Sequence, residues 1–160
     1  MSKKKGEYKD AIAYYDQATE LTEDIEDKAK YQLLAAKIQL ENLKNYPAVR
    51  TYAKHSLEYV SNQSACYILI GMAYASSQPY TKEAFGAKAG ILNKTVFWAA
   101  CDKFNKAKQV DPSCADDVNK LISTYSKYFP TKEERFDLPG EFSGSTFTVG
   151  GWIGEVTSIR

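Results

Sequence analysis

The residues of this sequence that could do chemistry are few, and the first to consider is its one histidine. A general base of the Ser–His or Cys–His kind would have to be His55. No serine or cysteine motif stands at a spacing that would place a nucleophile beside it, and one histidine cannot build a metal site alone. We therefore expect His55 to be an exposed or half-buried helical residue.

Three cysteines could form a disulfide or a metal site. Cys66, Cys101 and Cys114 are odd in number and follow no metal-ligand spacing. Cys101 would lie about two helical turns before the turn that precedes Cys114, which places the two beyond the Cα separation of about 7 Å that a disulfide tolerates. The sequence predicts buried free thiols.

The remaining candidates are a carboxylate run and two glycine clusters. The acids at 23–27 stand near a helix start, where negative charge meets the helix dipole favourably, so this role is expected rather than a metal or catalytic one. The glycines at 86–90 and 150–154 lack the strand-turn-helix context of a phosphate loop, which favours turn and packing roles. We predict no metal, no cofactor and no enzymatic activity.

One stretch sets the register of the elements that would position any site. Residues 96–113 read VFWAACDKFNKAKQVDPS, in which Ala100, Phe104 and Ala107 fall on one helical face. The Asp-Pro pair at 111–112 then ends the helix. Small residues on this face predict a close crossing with a neighbouring helix, and Phe104 would fill the gap between them.

The same spacing recurs along the chain. Residues 6–21 repeat it with Ala11, Tyr15 and Ala18, so the array is expected to begin with the second helix of a unit, a half-repeat. Residues 24–45 and 64–76 read as the opening helices of the next units, and a last opening helix follows Pro112. In the helix predicted at 47–60 the buried stripe is ambiguous by one residue. It is either Ala48 with Tyr52, or Val49 with Ala53 and Ser56.

The pattern is interrupted once and ends before the C-terminus. Gly71 is predicted to be the small residue of a close crossing, because glycine inside a helix costs about 1 kcal/mol against alanine. An insert at about 77–95 separates two paired helices. It has enough apolar side chains for a short packed helix. From Thr131 the helical period is lost, and the Gly150-Gly151 pair between alternating residues predicts a two-residue hairpin turn.

The span from 6 to 128 resembles the tetratricopeptide repeat (TPR) family in the spacing of small and large residues. The resemblance implies an all-α fold, a right-handed superhelix of about two and a half repeats, with a short C-terminal β-hairpin or extended tail. It divides the chain into a helical array over residues 1–130 and a C-terminal extension over 131–160 that packs on the array.

The run from Trp98 through YFPTKEERF to the ending GGWIGEVTSIR is similar to the C-terminal part of bacterial TPR proteins of undefined role. Those proteins are often exported by Gram-negative gut bacteria, so the similarity implies a periplasmic or exported location. The residues themselves do not fix the compartment, since no apolar signal core follows the N-terminal lysines.

Charge and hydropathy exclude two classes of partner. Lys and Arg total 21 against 20 Asp and Glu, so no broad positive field exists to hold nucleic acid. No segment approaches the roughly 18 apolar residues of a membrane helix, so no membrane insertion is predicted. The partner we expect is a protein or a peptide.

The resemblance implies that a peptide lies on the inner faces of the opening helices. Here those faces carry Gln32, Ala36, Gln39, Ile68, Met72, Asn119 and Ser123. They offer no basic clamp of the kind that binds a chaperone's C-terminal carboxylate. Apolar anchors flanked by amides favour an extended, uncharged peptide.

Two further hypotheses concern assembly. The chain could instead be a structural spacer or assembly segment of a longer multi-repeat protein, with no ligand of its own. Self-association through the N-terminal half-repeat or the C-terminal tail is the second hypothesis.

Overall fold

The computed structural model describes residues 3–160, which form helices and one small antiparallel sheet. The helices are α1 (Lys3–Leu21), α2 (Ile25–Ile38), α3 (Tyr46–Tyr59), α4 (Ser64–Ala75), α5 (Lys82–Phe85), α6 (Ala89–Lys94), α7 (Val96–Val110), α8 (Ala115–Ser126) and α9 (Lys132–Phe136). A π-helical turn, Gln39–Leu43, continues α2, and 3₁₀ turns span Gly86–Lys88 and Pro112–Cys114. Strands β1 (Thr146–Thr148) and β2 (Val156–Ser158) complete the chain. The mostly helical fold with a C-terminal hairpin is confirmed.

The long helices pack in sequence order. Each of α1, α2, α3, α4, α7 and α8 contacts the next in this series, and α2 also contacts α4. Helices α5 and α6 lie in the insert between α4 and α7. One main hydrophobic cluster joins α2, α3, α4, α7 and α8, with Trp98, Tyr74 and Phe104 as its largest fully buried side chains.

Local signals account for several helix starts. The Asp24 carboxylate caps α2 by accepting hydrogen bonds from the backbone N–H groups of Glu26 and Asp27, at 2.9 and 3.2 Å. Asn45 caps α3, whose first turn holds Pro47. The acidic run at 23–27 therefore lies at a helix start, as expected, and one of its residues is the cap.

The close crossing predicted at Gly71 is confirmed. A Cβ atom added to Gly71 would lie 2.6 Å from Phe104 Cε1 and 3.0 Å from the carbonyl oxygen of Ala100. Only a residue without a side chain lets α4 approach α7 at this point. The structure also resolves the register of α3, because Val49, Ala53 and Ser56 are all fully buried.

Polar side chains attach α1 to the next two helices. The Gln32 Nε2 group donates to Thr19 Oγ1 at 3.0 Å and to Asp16 Oδ1 at 3.2 Å. The Tyr52 hydroxyl donates to Asp16 Oδ2 at 2.9 Å. Burial, followed by the hydrogen bond to Asp16 and its negative charge, raises the pKa of Tyr52 to about 12.

This raised pKa predicts an alkaline loss of stability that depends on Tyr52. Between about pH 10 and pH 12 the unfolded chain releases the phenolic proton while the folded chain keeps it, so the free energy of unfolding falls as pH rises. We expect Tyr52→Phe to reduce this fall relative to the unchanged protein. Urea denaturation at pH 8, 10 and 11 measures the free energy of unfolding of both proteins. If it falls equally with pH in both, the raised pKa of Tyr52 is not the cause.

The C-terminal segment differs from the sequence prediction in two places. The helical period is not lost at Thr131, because α9 begins there with a capping box in which Thr131 and Glu134 satisfy each other's backbone N–H groups. The prediction of a two-residue turn at Gly150-Gly151 is also wrong. Thr148 pairs with Val156, so the whole of 149–155 connects the strands.

The long connection has a physical cause in its contacts with the insert. The Gly150 N–H donates to the Tyr80 hydroxyl at 2.7 Å. Gly151 has a positive φ of 63°, and a Cβ there would lie 2.6 Å from Pro79 Cβ. These glycines serve close approach to the insert, which a tight turn would not allow.

The loop between the strands is anchored in the main core. Val149 and Ile153 are buried there, at 0 and 2% exposure. Arg50 of α3 donates to the backbone carbonyls of Ile153 and Trp152, at 2.7 and 2.5 Å, and its guanidinium lies 4.9 Å from the centre of the Trp152 ring. The tail thus packs on the helices.

Candidate functional site

Three of the seven predicted partner-binding residues are buried. Ala36 is fully buried in the main cluster, and Gln32 is 4% exposed with its amide bonded to α1. Neither side chain is accessible to a partner in this arrangement. Gln39 is also buried, at 7% exposure, but unlike the other two it lines a cavity.

The other four lie on two separate helices. Ile68 and Met72 are half-buried on α4 and pack against the main cluster. Asn119 and Ser123 are exposed on α8, and the Asn119 Oδ1 atom accepts a hydrogen bond from Lys108 Nζ at 2.9 Å. The depression that these two line is formed by α8 alone. The structure therefore does not join the seven residues into one surface.

Gln39 lies at the start of the π-helical turn that ends the second helix. Its backbone carbonyl accepts from the N–H groups of Lys44 and Asn45, which closes the turn. Its side-chain Oε1 atom is buried and has no hydrogen-bond partner among the described residues. A buried acceptor without a donor is costly, and π-helical turns often occur at functional sites.

Gln39 lines a cavity of about 460 Å³ between α1, the π-helical turn and the start of α3. We call this the Gln39 cavity. Its lining consists of three lysines, four apolar or aromatic residues and two amides: Lys5, Lys9, Lys44, Ile12, Leu43, Tyr46, Pro47, Gln39 and Asn45. The volume falls within the range of about 300–1,000 Å³ typical of ligand sites.

The charge around the Gln39 cavity is of one sign. Its lining contains no carboxylate. Within residues 3–160 neither Lys9 nor Lys44 forms a salt bridge. The N-terminal end of α3 borders the cavity through Asn45 and Pro47, and the helix dipole is positive at that end. The cavity thus combines an apolar wall with a positive rim.

Sequence reasoning identified Gln39 and missed the rest of this site. Lys5 and Lys9 lie on α1 and Lys44 follows the π-helical turn, and no spacing along the chain connects Lys44 with the other two. Lys44 is the informative residue. It is in the left-handed region with φ 53° and ψ 37°, just after a helix, where glycine or asparagine is usual.

The thiols are suited to packing rather than to nucleophilic chemistry. Burial raises the pKa of the Cys66 thiol, and it raises that of Cys101 to about 11. Cys114 is half-buried, which differs from the expectation that all three would be buried. No group of three or more His, Cys, Asp or Glu side chains within residues 3–160 is arranged to hold a metal ion.

Comparison of the chain with protein-family models, curated proteins and solved structures found no match. Over residues 3–160, none of the helices has both the length and the apolar character to cross a membrane. The geometry of the Gln39 cavity is therefore the basis for any functional assignment.

Proposed function

We propose that this TPR-like helical array is a non-enzymatic protein–protein interaction scaffold that binds an extended peptide segment in the Gln39 cavity. The observation that carries the proposal is the cavity itself, whose volume of about 460 Å³ and lining of apolar, amide and lysine side chains suit a ligand site. The side chains of a peptide would cover the apolar wall, and its backbone would meet the polar groups of the lining.

The packing of the helices supports this assignment. Successive helices contact one another in sequence order, and α4 and α7 cross closely at Gly71. A stack of this kind holds its surface residues on rigid elements, which reduces the entropy lost when a partner binds. The predicted apolar anchors Ile68 and Met72 lie on α4 and are a competing location for the same activity.

Replacing Gln39 by methionine tests the proposal, since methionine has a similar shape and no amide. We expect Gln39→Met to raise the free energy of unfolding by up to about 1–3 kcal/mol, because an unpaired buried acceptor is removed. Peptides selected on the unchanged protein from a displayed random library should bind Gln39→Met about tenfold more weakly, measured by fluorescence anisotropy.

The matched control is Met72→Gln on α4. It should leave the affinity of the selected peptides unchanged. Loss of binding in Met72→Gln with none in Gln39→Met would move the site to α4. A selection that yields no peptide with saturable binding would refute the peptide-binding function.

A structural spacer or assembly segment is the second candidate. Three large apolar side chains near the α1–α2 connection are exposed: Tyr14, Leu21 and Ile25, at 66, 75 and 55%. Surfaces of this kind are usual where another protein element packs. If the chain self-associates there, sedimentation equilibrium should give a dimer that Leu21→Glu dissociates.

A further inference from the structure

The chemistry of the ligand can be read from the charges of the Gln39 cavity. Lys9 on α1 and Lys44 after the π-helical turn come from different elements and line the same cavity. Neither has a carboxylate partner within residues 3–160. Two such ammonium groups next to the positive end of α3 favour a negatively charged ligand group.

The backbone at Lys44 strengthens this argument. Asn62 is the other non-glycine residue with a positive φ among the described residues, and asparagine tolerates that conformation. Lysine does not tolerate it as well, so its side chain at 44 is retained against a conformational preference. A strained residue at a cavity points to a role for its side chain.

An anion alone would leave part of the cavity uncovered. A carboxylate or sulfate meets the lysines but carries no apolar group. Ile12 and Leu43 need apolar cover. An acidic peptide segment satisfies both requirements, because its side chains supply the carboxylate and the aliphatic group.

We infer that the Gln39 cavity takes an acidic peptide segment, in which an Asp or Glu carboxylate lies between Lys9 and Lys44. A neighbouring aliphatic side chain packs on Ile12 and Leu43. This inference rests on the proposed function and adds the charge of the ligand to it.

The test uses two labelled peptides with blocked termini. One alternates leucine with aspartate and glutamate, and the other has asparagine and glutamine in place of the acids. We expect the acidic peptide to bind the full chain about tenfold more tightly in fluorescence anisotropy. The difference should shrink as salt is raised, because exposed charges are screened.

Two variants examine the lysines. Lys9→Gln should weaken the acidic peptide several-fold and leave the neutral peptide unchanged. Lys44→Gly should do the same, and glycine suits the left-handed backbone, so the fold should be retained. Lys44→Asn is the second variant if the melting temperature of Lys44→Gly falls. Lys120→Gln, an exposed lysine on α8, is the matched control and should change neither affinity.

The outcomes separate this inference from the proposed function. Equal affinity for both peptides, with both weakened in Gln39→Met, would overturn the acidic preference and leave peptide binding intact. Competition by inorganic phosphate that is unaffected by Gln39→Met would identify a simple anion site and overturn the inference. Binding of neither peptide overturns it as well, while the random-library selection still decides the proposed function.

Discussion

Deletion of residues 140–160 should lower the free energy of unfolding by about 3–6 kcal/mol. Val149 and Ile153 are buried in the main cluster, and full burial of each is worth about 1.5–3 kcal/mol. The deletion also removes the two carbonyl acceptors of Arg50 and the Phe147 ring that contacts Trp98. We expect the melting temperature to fall by roughly 10 °C or more.

Calorimetry or circular dichroism at low protein concentration measures this change. The control is Val156→Thr on β2, where the valine is 65% exposed and little apolar burial is lost. The paired variants Val149→Ala and Ile153→Ala should reproduce part of the effect without shortening the chain. An unchanged melting temperature after the deletion would show that the tail contributes nothing to the stability of the array.

Phe104→Ala should lower the free energy of unfolding by about 3–5 kcal/mol, the usual range for a fully buried phenylalanine. A more specific result is expected at Gly71, which faces Phe104. In the unchanged protein Gly71→Ala should destabilise, because its Cβ would lie 2.6 Å from Phe104 Cε1, and the clash exceeds the roughly 1 kcal/mol that alanine gains over glycine in a helix.

The double variant reduces that cost. With Phe104→Ala already present the phenyl ring is gone, so adding Gly71→Ala should destabilise less, the remaining close contact being the one with the Ala100 carbonyl oxygen at 3.0 Å. A double-mutant cycle from urea denaturation gives the coupling between the two sites. Equal effects of Gly71→Ala in both backgrounds would mean that α4 and α7 do not meet as closely as the Gly71–Phe104 distance requires.

The structure changed the expected charge of the peptide more than any other part of the binding hypothesis. The inner faces of the opening helices carry amides and apolar side chains, which favours an uncharged peptide. Of these residues Gln39 alone lines the cavity, and its neighbours there include two lysines of α1 and the lysine that follows the π-helical turn. The lysines come together only in the folded chain. Residue spacing within one helix does not show this proximity.

Some features of this protein were determined by its sequence alone. The spacing of Ala100, Phe104 and Ala107 is a property of a helix turn, so it predicted a buried face that the structure confirms, with all three at 0% exposure. The sequence also predicted a close crossing at Gly71, since glycine inside a helix is costly and requires a packing reason. Likewise Asp24 and Asn45 cap helices by contacts within a few residues.

Other features were decided by the tertiary structure. The register of α3 was ambiguous because two stripes were equally apolar, and contact with its neighbours selected Val49 and Ala53. The Gly150-Gly151 pair satisfied the rule for a tight turn, but contacts with Pro79 and Tyr80, about 70 residues away in sequence, drew it into a longer loop. Long-range contacts have no periodicity that a single sequence displays. For the same reason the Gln39 cavity, built from α1, the π-helical turn and α3, could be found only once the chain was folded.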